Sequence, residues 1–269
     1  MDASPTNEPL IRVARLRKRF GRLQVLKGVD VSFARGQTTV VLGPSGCGKS
    51  VLLKHLVGLL RPDGGEVWFD GHRVDRMREA DLGLVRRQIG FLFQMSALFD
   101  SLSVADNLAF PLREHGVTDE SVVQARIQRV ATMVGLASTL HQMPAELSGG
   151  QRKRIALARA IVLDPKVVLY DEPTTGLDPI RSDIINELIL KLKRELRITG
   201  IVVTHDLQSA FKVSDRFILM HEGSVRFDGS ADELRACTDP VVHRFLQGEA
   251  SPEELAEIRG EAAPTLPTP

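Results

Sequence analysis

The run GPSGCGKS, Gly43 to Ser50, carries the strongest chemical signal in the sequence. It fits G-x-x-x-x-G-K-[ST], the spacing of a loop that wraps a phosphate chain between a strand and a helix. Gly43, Gly46 and Gly48 let the backbone curl and point its N–H groups inward. The helix that follows offers unpaired N–H groups and its positive dipole end to the same anion. Lys49 is expected to reach the β- and γ-phosphates of a nucleotide, and Ser50 to ligate Mg²⁺. Pro44, Ser45, Cys47 and Val51 complete the expected lining. Cys47 has two readings: a filler at a permissive position, or a thiol whose pKa falls near a helix start and which is then open to modification.

A second signal is VVLYDE, Val167 to Glu172. Buried strands of α/β proteins end in open loops where polar groups meet ligands. Asp171 is placed to support Mg²⁺, directly or through water, and Glu172 to act as general base for an attacking water. Taken alone, both acids also read as ordinary turn residues before Pro173. His205 follows another apolar strand, IVVT, where a γ-phosphate contact competes with a purely structural role. Gln94 stands at the end of IGFLF, where its amide would meet metal or water.

These residues need elements to hold them. Thr38 to Leu42 reads as a buried strand and SVLLKHLVGL as a helix, so the phosphate loop has the required context. IRVARLRKRF and LKGVDVSF alternate as half-buried strands, and RPDGGEVWFDG gives a turn, a short strand with Trp68 and another turn. A short helix leads into IGFLF. From Leu98 to about Gly135 the pattern is helical and interrupted, with Val123, Ile127, Val130 and Val134 as an amphipathic stripe. Then follow the helix QRKRIALARAIV, the strand KVVLYDE, the helix IINELILKLKREL, the strand IVVTHD and the helix LQSAFKVS. FILMHEGSVRFDG reads as a hairpin turning at Glu222–Gly223. Buried strands alternating with helices predict an α/β fold with a largely parallel sheet.

Composition narrows the class. With 43% apolar residues in 269, the chain has enough to bury a real core. Its 35 basic and 34 acidic residues leave a formal +1, which gives no support to a nucleic-acid surface. Two distant cysteines, Cys47 and Cys237, make no disulfide scaffold. The opening MDASPTNEPL lacks a basic and an apolar segment, so no secretory signal is read. Apolar runs such as VVL around Val168 are far shorter than a membrane span. Membrane association is therefore expected to come through a partner.

Leu147 to Ile161, LSGGQRKRIALARAI, completes an ordered set. Together with GPSGCGKS, VVLYDEPTTGLDP and the histidine after IVVT, it resembles the nucleotide-binding domain of ABC transporters from about Ile11 to Gln247. The resemblance implies a P-loop NTPase of the ABC ATPase type, binding ATP and Mg²⁺. Its mainly parallel core would carry an N-terminal antiparallel β subdomain and an inserted α-helical subdomain. Residues 1–9 would be a flexible leader, 10–247 the ATPase domain with its helical part at about 95–160, and 248–269 a tail, with a short helix from Pro252 to Ile258. By analogy Phe20 stacks on adenine, where this family often uses tyrosine, and Gln94 senses nucleotide and the membrane partner. Ser148, Gly149, Gly150 and Gln151 match the signature that completes the ATP site of the opposite subunit. Asp178 falls in the loop that signals between sites, and His205 is the switch histidine. A homodimer with ATP at the seam is implied.

Chromosome-maintenance members insert a long coiled coil between phosphate loop and signature, and no long heptad array occurs between Lys49 and Leu147. Translation-linked members usually carry two motif sets, whereas this chain carries one. Phe93 to His115, FQMSALFDSLSVADNLAFPLREH, looks like the ATPases of Mce/Mla-type lipid transporters. That finer resemblance implies a permease dimer, an Mce-domain lipid-shuttling protein, sometimes a small cytoplasmic regulator, and a place on the cytoplasmic face of the inner membrane. An importer for amino acids or another small solute is the alternative, because the catalytic motifs are shared.

Overall fold

The computed structural model describes residues 8–250 and, beyond them, 255, 258 and 259. In chain order the described elements are β1 (Ile11–Phe20), β2 (Leu23–Phe33), β3 (Thr38–Leu42), α1 (Lys49–Leu56), β4 (Gly64–Phe69), β5 (His72–Arg73), α2 (Glu79–Arg86) and β6 (Ile89–Leu92). There follow α3 (Val104–Glu114), α4 (Glu120–Met133), α5 (Gly149–Ile161), β7 (Val167–Asp171), α6 (Pro179–Leu196), β8 (Thr199–Val203), α7 (Leu207–Val213), β9 (Arg216–His221), β10 (Ser224–Gly229), α8 (Ala231–Ala236) and α9 (Pro240–Gln247).

The expected α/β architecture holds. Six strands form one sheet in the order β10-β9-β3-β8-β7-β6, parallel throughout except for the β9–β10 hairpin. A separate antiparallel sheet, β2-β1-β4-β5, comes from the N-terminal part of the chain. The β9–β10 turn falls at Glu222–Gly223, with φ of 46° and 79°, the positive pair that a two-residue hairpin turn requires.

Strand periodicity divides the core between the two faces of the parallel sheet. Val40, Leu42, Val168, Tyr170, Val202 and Leu219 join the cluster covered by α3 to α7. Val41, Val167, Leu169, Ile201, Val203 and Met220 join the cluster with α1 and the antiparallel sheet. Both faces are covered, so these strands read as continuous apolar runs. The predicted stripe on α4 is buried at Val123, Ile127 and Val130, and Val134 caps the helix from a buried position.

Two details differ from the sequence reading. Strand β6 stops at Leu92, so Gln94 stands two residues past its end; Phe93 instead stacks on Phe91 at 4.2 Å between centroids. Helices α8 and α9 were not foreseen. Ser230 and Glu233 form a capping box for α8, and Asp239 caps α9 ahead of Pro240, both legible signals for helices too short to show clear periodicity. The helix expected from Pro252 to Ile258 lies outside the described residues, apart from Leu255 and Ile258, which are helical and exposed. Most of the leader, residues 1–7, also lies outside them. Among the described residues no helix is long and apolar enough to cross a membrane.

The segment after β6 is pinned by Asn107 of α3, which is fully buried. Its amide donates to the carbonyls of Phe99, Leu102 and Ser103 at 3.0–3.1 Å, and its oxygen accepts from Phe99 N at 2.8 Å. Asn107→Ala removes these bonds and leaves the part-buried carbonyls of Phe99 and Leu102 without this donor. It should lower unfolding free energy by about 1–3 kcal/mol, measured by urea denaturation.

Candidate functional site

Register brings the chemical residues to one edge. Leu42 ends β3, Asp171 ends β7 opposite Val203, and Leu92 of β6 pairs with Tyr170. The parallel strands therefore open their C-terminal ends together, releasing the phosphate loop, Glu172, Thr204–His205 and Gln94 on the same side. That is where ligands meet open α/β sheets. A cavity of about 430 Å³ there is lined by Phe20, Val25, Ser45, Gly46, Gly48, Lys49, Ser50, Val51, Gln94, Glu172 and His205. Phe20, at the end of β1, is 45% exposed, a flat apolar surface presented to the cavity.

Gly43 could not be another residue without moving backbone. At φ 147° a Cβ there would lie 2.2 Å from the Met220 carbonyl oxygen and 2.8 Å from Cys47 Sγ. Gly48 precedes α1 without any side-chain cap, which leaves first-turn N–H groups for an anion. Lys49 is buried, and its ammonium donates to the carbonyls of Gly43 at 2.6 Å and Pro44 at 2.9 Å. The cation is thereby held within the curl of the loop.

Cys47 follows the filler reading. Its side chain packs into the core cluster beside Leu52 and Leu53, and burial raises the thiol pKa, outweighing the pull of nearby Lys49. The helix-start effect that would have activated it loses to desolvation. Cys47 is also absent from the cavity lining.

Ser50, which lines the cavity, meets Asp171, far away in sequence: the serine hydroxyl donates to the carboxylate at 3.0 Å. Burial raises the Asp171 pKa, while the Ser50 hydrogen bond and then nearby Lys54 and Lys49 draw it back down. With the Gln94 amide, these groups offer only hard oxygens, the donor type that suits Mg²⁺ held by one carboxylate and substrate phosphates. Among the described residues no group of three His, Cys, Asp or Glu side chains could hold a metal ion.

Glu172 follows β7 with φ 50°. Its carboxylate is 3.0 Å from His205 Nδ1 and accepts from the hydroxyls of Thr175 at 3.1 Å and Thr204 at 3.4 Å. The histidine is 63% exposed and the glutamate 13%, so the pair faces outward from a fixed base. Neither threonine was singled out in the sequence. Thr204, the polar end of IVVT, and Thr175, three residues after the acid, were the signals available.

The signature residues lie elsewhere. Ser148 caps α5, accepting from Gln151 N while Gln151 Oε1 accepts from Ser148 N at 2.8 Å. Ser148, Gly150 and Gln151 line a separate cavity of about 90 Å³ with Arg154 and Arg181, and Gly149 is exposed beside them. Asp178 caps α6 by accepting from Arg181 N at 3.0 Å. Within one chain these groups do not join the phosphate-loop cavity.

A P-loop at the head of a parallel sheet, an acid-histidine pair beside it and a capped Ser-Gly-Gly-Gln helix define a nucleotide-hydrolysing class. Comparison with known proteins agrees: residues 26–175 match the family described as ABC transporter. The chain is 39% identical over 244 residues to the Haemophilus influenzae intermembrane phospholipid transport system ATP-binding protein MlaF, covering 91% of this chain and 92% of that one. It is equally 39% identical over 253 residues to the probable ribonucleotide transport ATP-binding protein mkl of Mycobacterium tuberculosis, covering 94% and 70%. Among solved structures, a dimeric ATP-binding cassette in a post-hydrolysis state with ADP and Pi aligns with a TM-score of 0.75 and 31% identity, over 82% of this chain and 98% of that one. The chain belongs to the ABC transporter family and is an ATP-hydrolysing enzyme.

Proposed function

We propose that two copies of this chain enclose ATP between them and use its hydrolysis to drive a permease that moves lipid. The observation behind the dimer is the separation just described. One chain builds a phosphate-loop cavity and, apart from it, a capped helix start whose N–H groups and Ser148 hydroxyl suit a second face of the same phosphate. An isologous pair brings each helix start over the partner's loop.

In this reading Phe20 stacks on adenine. The loop from Gly43 to Val51 surrounds the phosphates, with Lys49 countering their charge. Ser50, Asp171 and Gln94 hold Mg²⁺, which when bound neutralises charge on the phosphate oxygens. Glu172 takes a proton from water as the water oxygen bonds to the γ-phosphorus and the bond to the ADP oxygen breaks. His205 contacts the γ-phosphate and keeps Glu172 aimed, with Thr175 and Thr204 fixing the carboxylate from behind. Asp178, at the start of α6, relays between the two sites. Loss of the γ-phosphate bridge then lets the pair reopen.

The lipid assignment is supported by likeness to the phospholipid-transport relative and by the segment after Gln94. Met95 is 87% exposed and Phe99 and Phe110 about two-fifths, with the two rings 4.7 Å apart. This apolar surface, next to the nucleotide-sensing residue, suits a permease helix. Such docking would place the chain on the cytoplasmic face of the membrane, with an Mce-domain shuttle beyond the permease. The C-terminal tail would meet the opposite subunit or a small regulator. A solute importer is the second reading, favoured by the equal identity to the ribonucleotide-transport relative.

Purification with the permease encoded beside it, followed by reconstitution, separates the two. An Mce-domain protein in the complex and ATP-dependent transfer of labelled phospholipid between vesicles are expected. Solute-binding protein in its place, with ATPase stimulated by ribonucleotide or amino acid and no lipid transfer, would reverse the assignment.

A further inference from the structure

Lys153 lies in the second turn of α5 and is only 4% exposed. Its hydrogen-bond partners are two main-chain oxygens. The ammonium donates to the carbonyl of Gln94 at 2.7 Å and to that of Glu172 at 3.2 Å. Burial lowers its pKa, while the charges of Glu172 and then Asp171 favour the protonated form. A buried cation costs folding free energy unless its hydrogen bonds are well satisfied, and an apolar side chain of the same length would fill the space without that cost. The position is explained by what the ammonium holds.

Those carbonyls belong to the two segments that carry the metal-and-water chemistry. Strands β6 and β7 are parallel neighbours, with Leu92 paired to Tyr170, and the chain leaves them through Gln94 and Glu172. Glu172 has φ 50°, a left-handed conformation that a side chain other than glycine keeps only when its surroundings over-determine it. Its N–H is fixed by the Val203 carbonyl at 2.9 Å, and its own carbonyl accepts from Lys153 at 3.2 Å and from Thr175 N at 3.3 Å. The same helix begins at Ser148, so one rigid element runs from the signature to the back of the acid.

We propose that Lys153 is a positioning residue for hydrolysis, clamping the Gln94 and Glu172 main chains together so that the carboxylate and the amide face one water and one metal. This rests on the reading of Glu172 as the base. The clamp acts on geometry and not on nucleotide grip, because Lys153 is absent from the cavity lining.

The test compares steady-state ATP hydrolysis by full-length Lys153→Met, Lys153→Arg and Lys153→Gln, with Lys153→Met also made in the Glu172→Gln background. Lys153→Met should lower kcat by about 10–100-fold, the scale of a small misplacement of a catalytic group. KM for ATP should stay within about 3-fold, since an interaction made in the transition state is lost. Arg should recover most of the rate, and Gln, with a shorter donor, part of it. In the Glu172→Gln background the Met substitution should lower the residual rate by a clearly smaller factor than in the wild-type chain, because the carboxylate is gone and only the Gln94 segment remains to be held. A normal kcat in Lys153→Met beside an inactive Glu172→Gln chain overturns this proposal alone. So does a raised KM with kcat unchanged, or an equal further loss in the Glu172→Gln background. Full activity of Glu172→Gln overturns both this proposal and the base assignment. Lys153→Gln carries the same kinetic test if the Met variant does not fold.

Discussion

Glu172→Gln should lower steady-state ATP hydrolysis by about 10²–10⁴-fold, the usual worth of a positioned general base, while MgATP binding is retained. The amide keeps the shape of the side chain and can still accept from Thr175 and Thr204, which lie 3.1 and 3.4 Å from one carboxylate oxygen. It loses the capacity to take the proton of water. Phosphate grip resides in other groups, the loop backbone and Lys49, so affinity survives. Because opening follows cleavage in this mechanism, the variant should also accumulate as a closed pair with ATP. Hydrolysis at the normal rate would remove Glu172 from the base role.

Lys49→Ala and Ser148→Arg should each abolish hydrolysis, yet a mixture of the two should regain it. Lys49→Ala removes a cation held by two carbonyls within the loop, and should weaken nucleotide by about 1.5–3 kcal/mol, the range for hydrogen bonds to charged groups. Ser148→Arg places a long side chain at an exposed helix start that this mechanism sets against the partner's nucleotide. In a mixed pair, one site combines a normal loop with a normal helix start, and the other carries both lesions. With free exchange of equal amounts, roughly a quarter of the wild-type sites are intact, from the symmetry of the pair alone. Recovery near that level supports a site built from two chains. No recovery in demonstrably mixed pairs, or either single variant remaining active, would argue for a site complete within one chain.

The legible parts of this site share one property: a continuous apolar run followed directly by a polar group. Val41 and Leu42 before Gly43, Leu169 and Tyr170 before Asp171, and Val202 and Val203 before Thr204 are buried strands whose ends must open into loops. Local pattern singled out Lys49, Ser50, Asp171, Glu172 and His205; all but Asp171 line one cavity, and Asp171 joins it through Ser50. Gln94 was placed correctly on the edge but assigned to the strand, because Phe93 continues the apolar run while the ladder has already ended at Leu92.

Local pattern failed where distant parts of the chain decide. Cys47 stood open to two readings, a filler or a thiol activated before a helix, and burial in the core cluster decides for the filler. Lys153 sits in the run QRKR, and the sequence reading did not single it out. In the fold it shares a stripe with Gly150, Leu157 and Ile161, all buried on α5. That spacing of three, four and four was the available signal, masked by the charge. Separation of Ser148 from the phosphate loop was implied by the family resemblance alone, since local pattern does not show which way α5 leaves the sheet.

Native mass spectrometry of the Glu172→Gln chain with saturating MgATP tests the shared site most directly. The expected species is a pair of chains carrying two ATP molecules, giving way to single chains when ADP replaces ATP. Single chains fully loaded with ATP, with no paired species under those conditions, would contradict it.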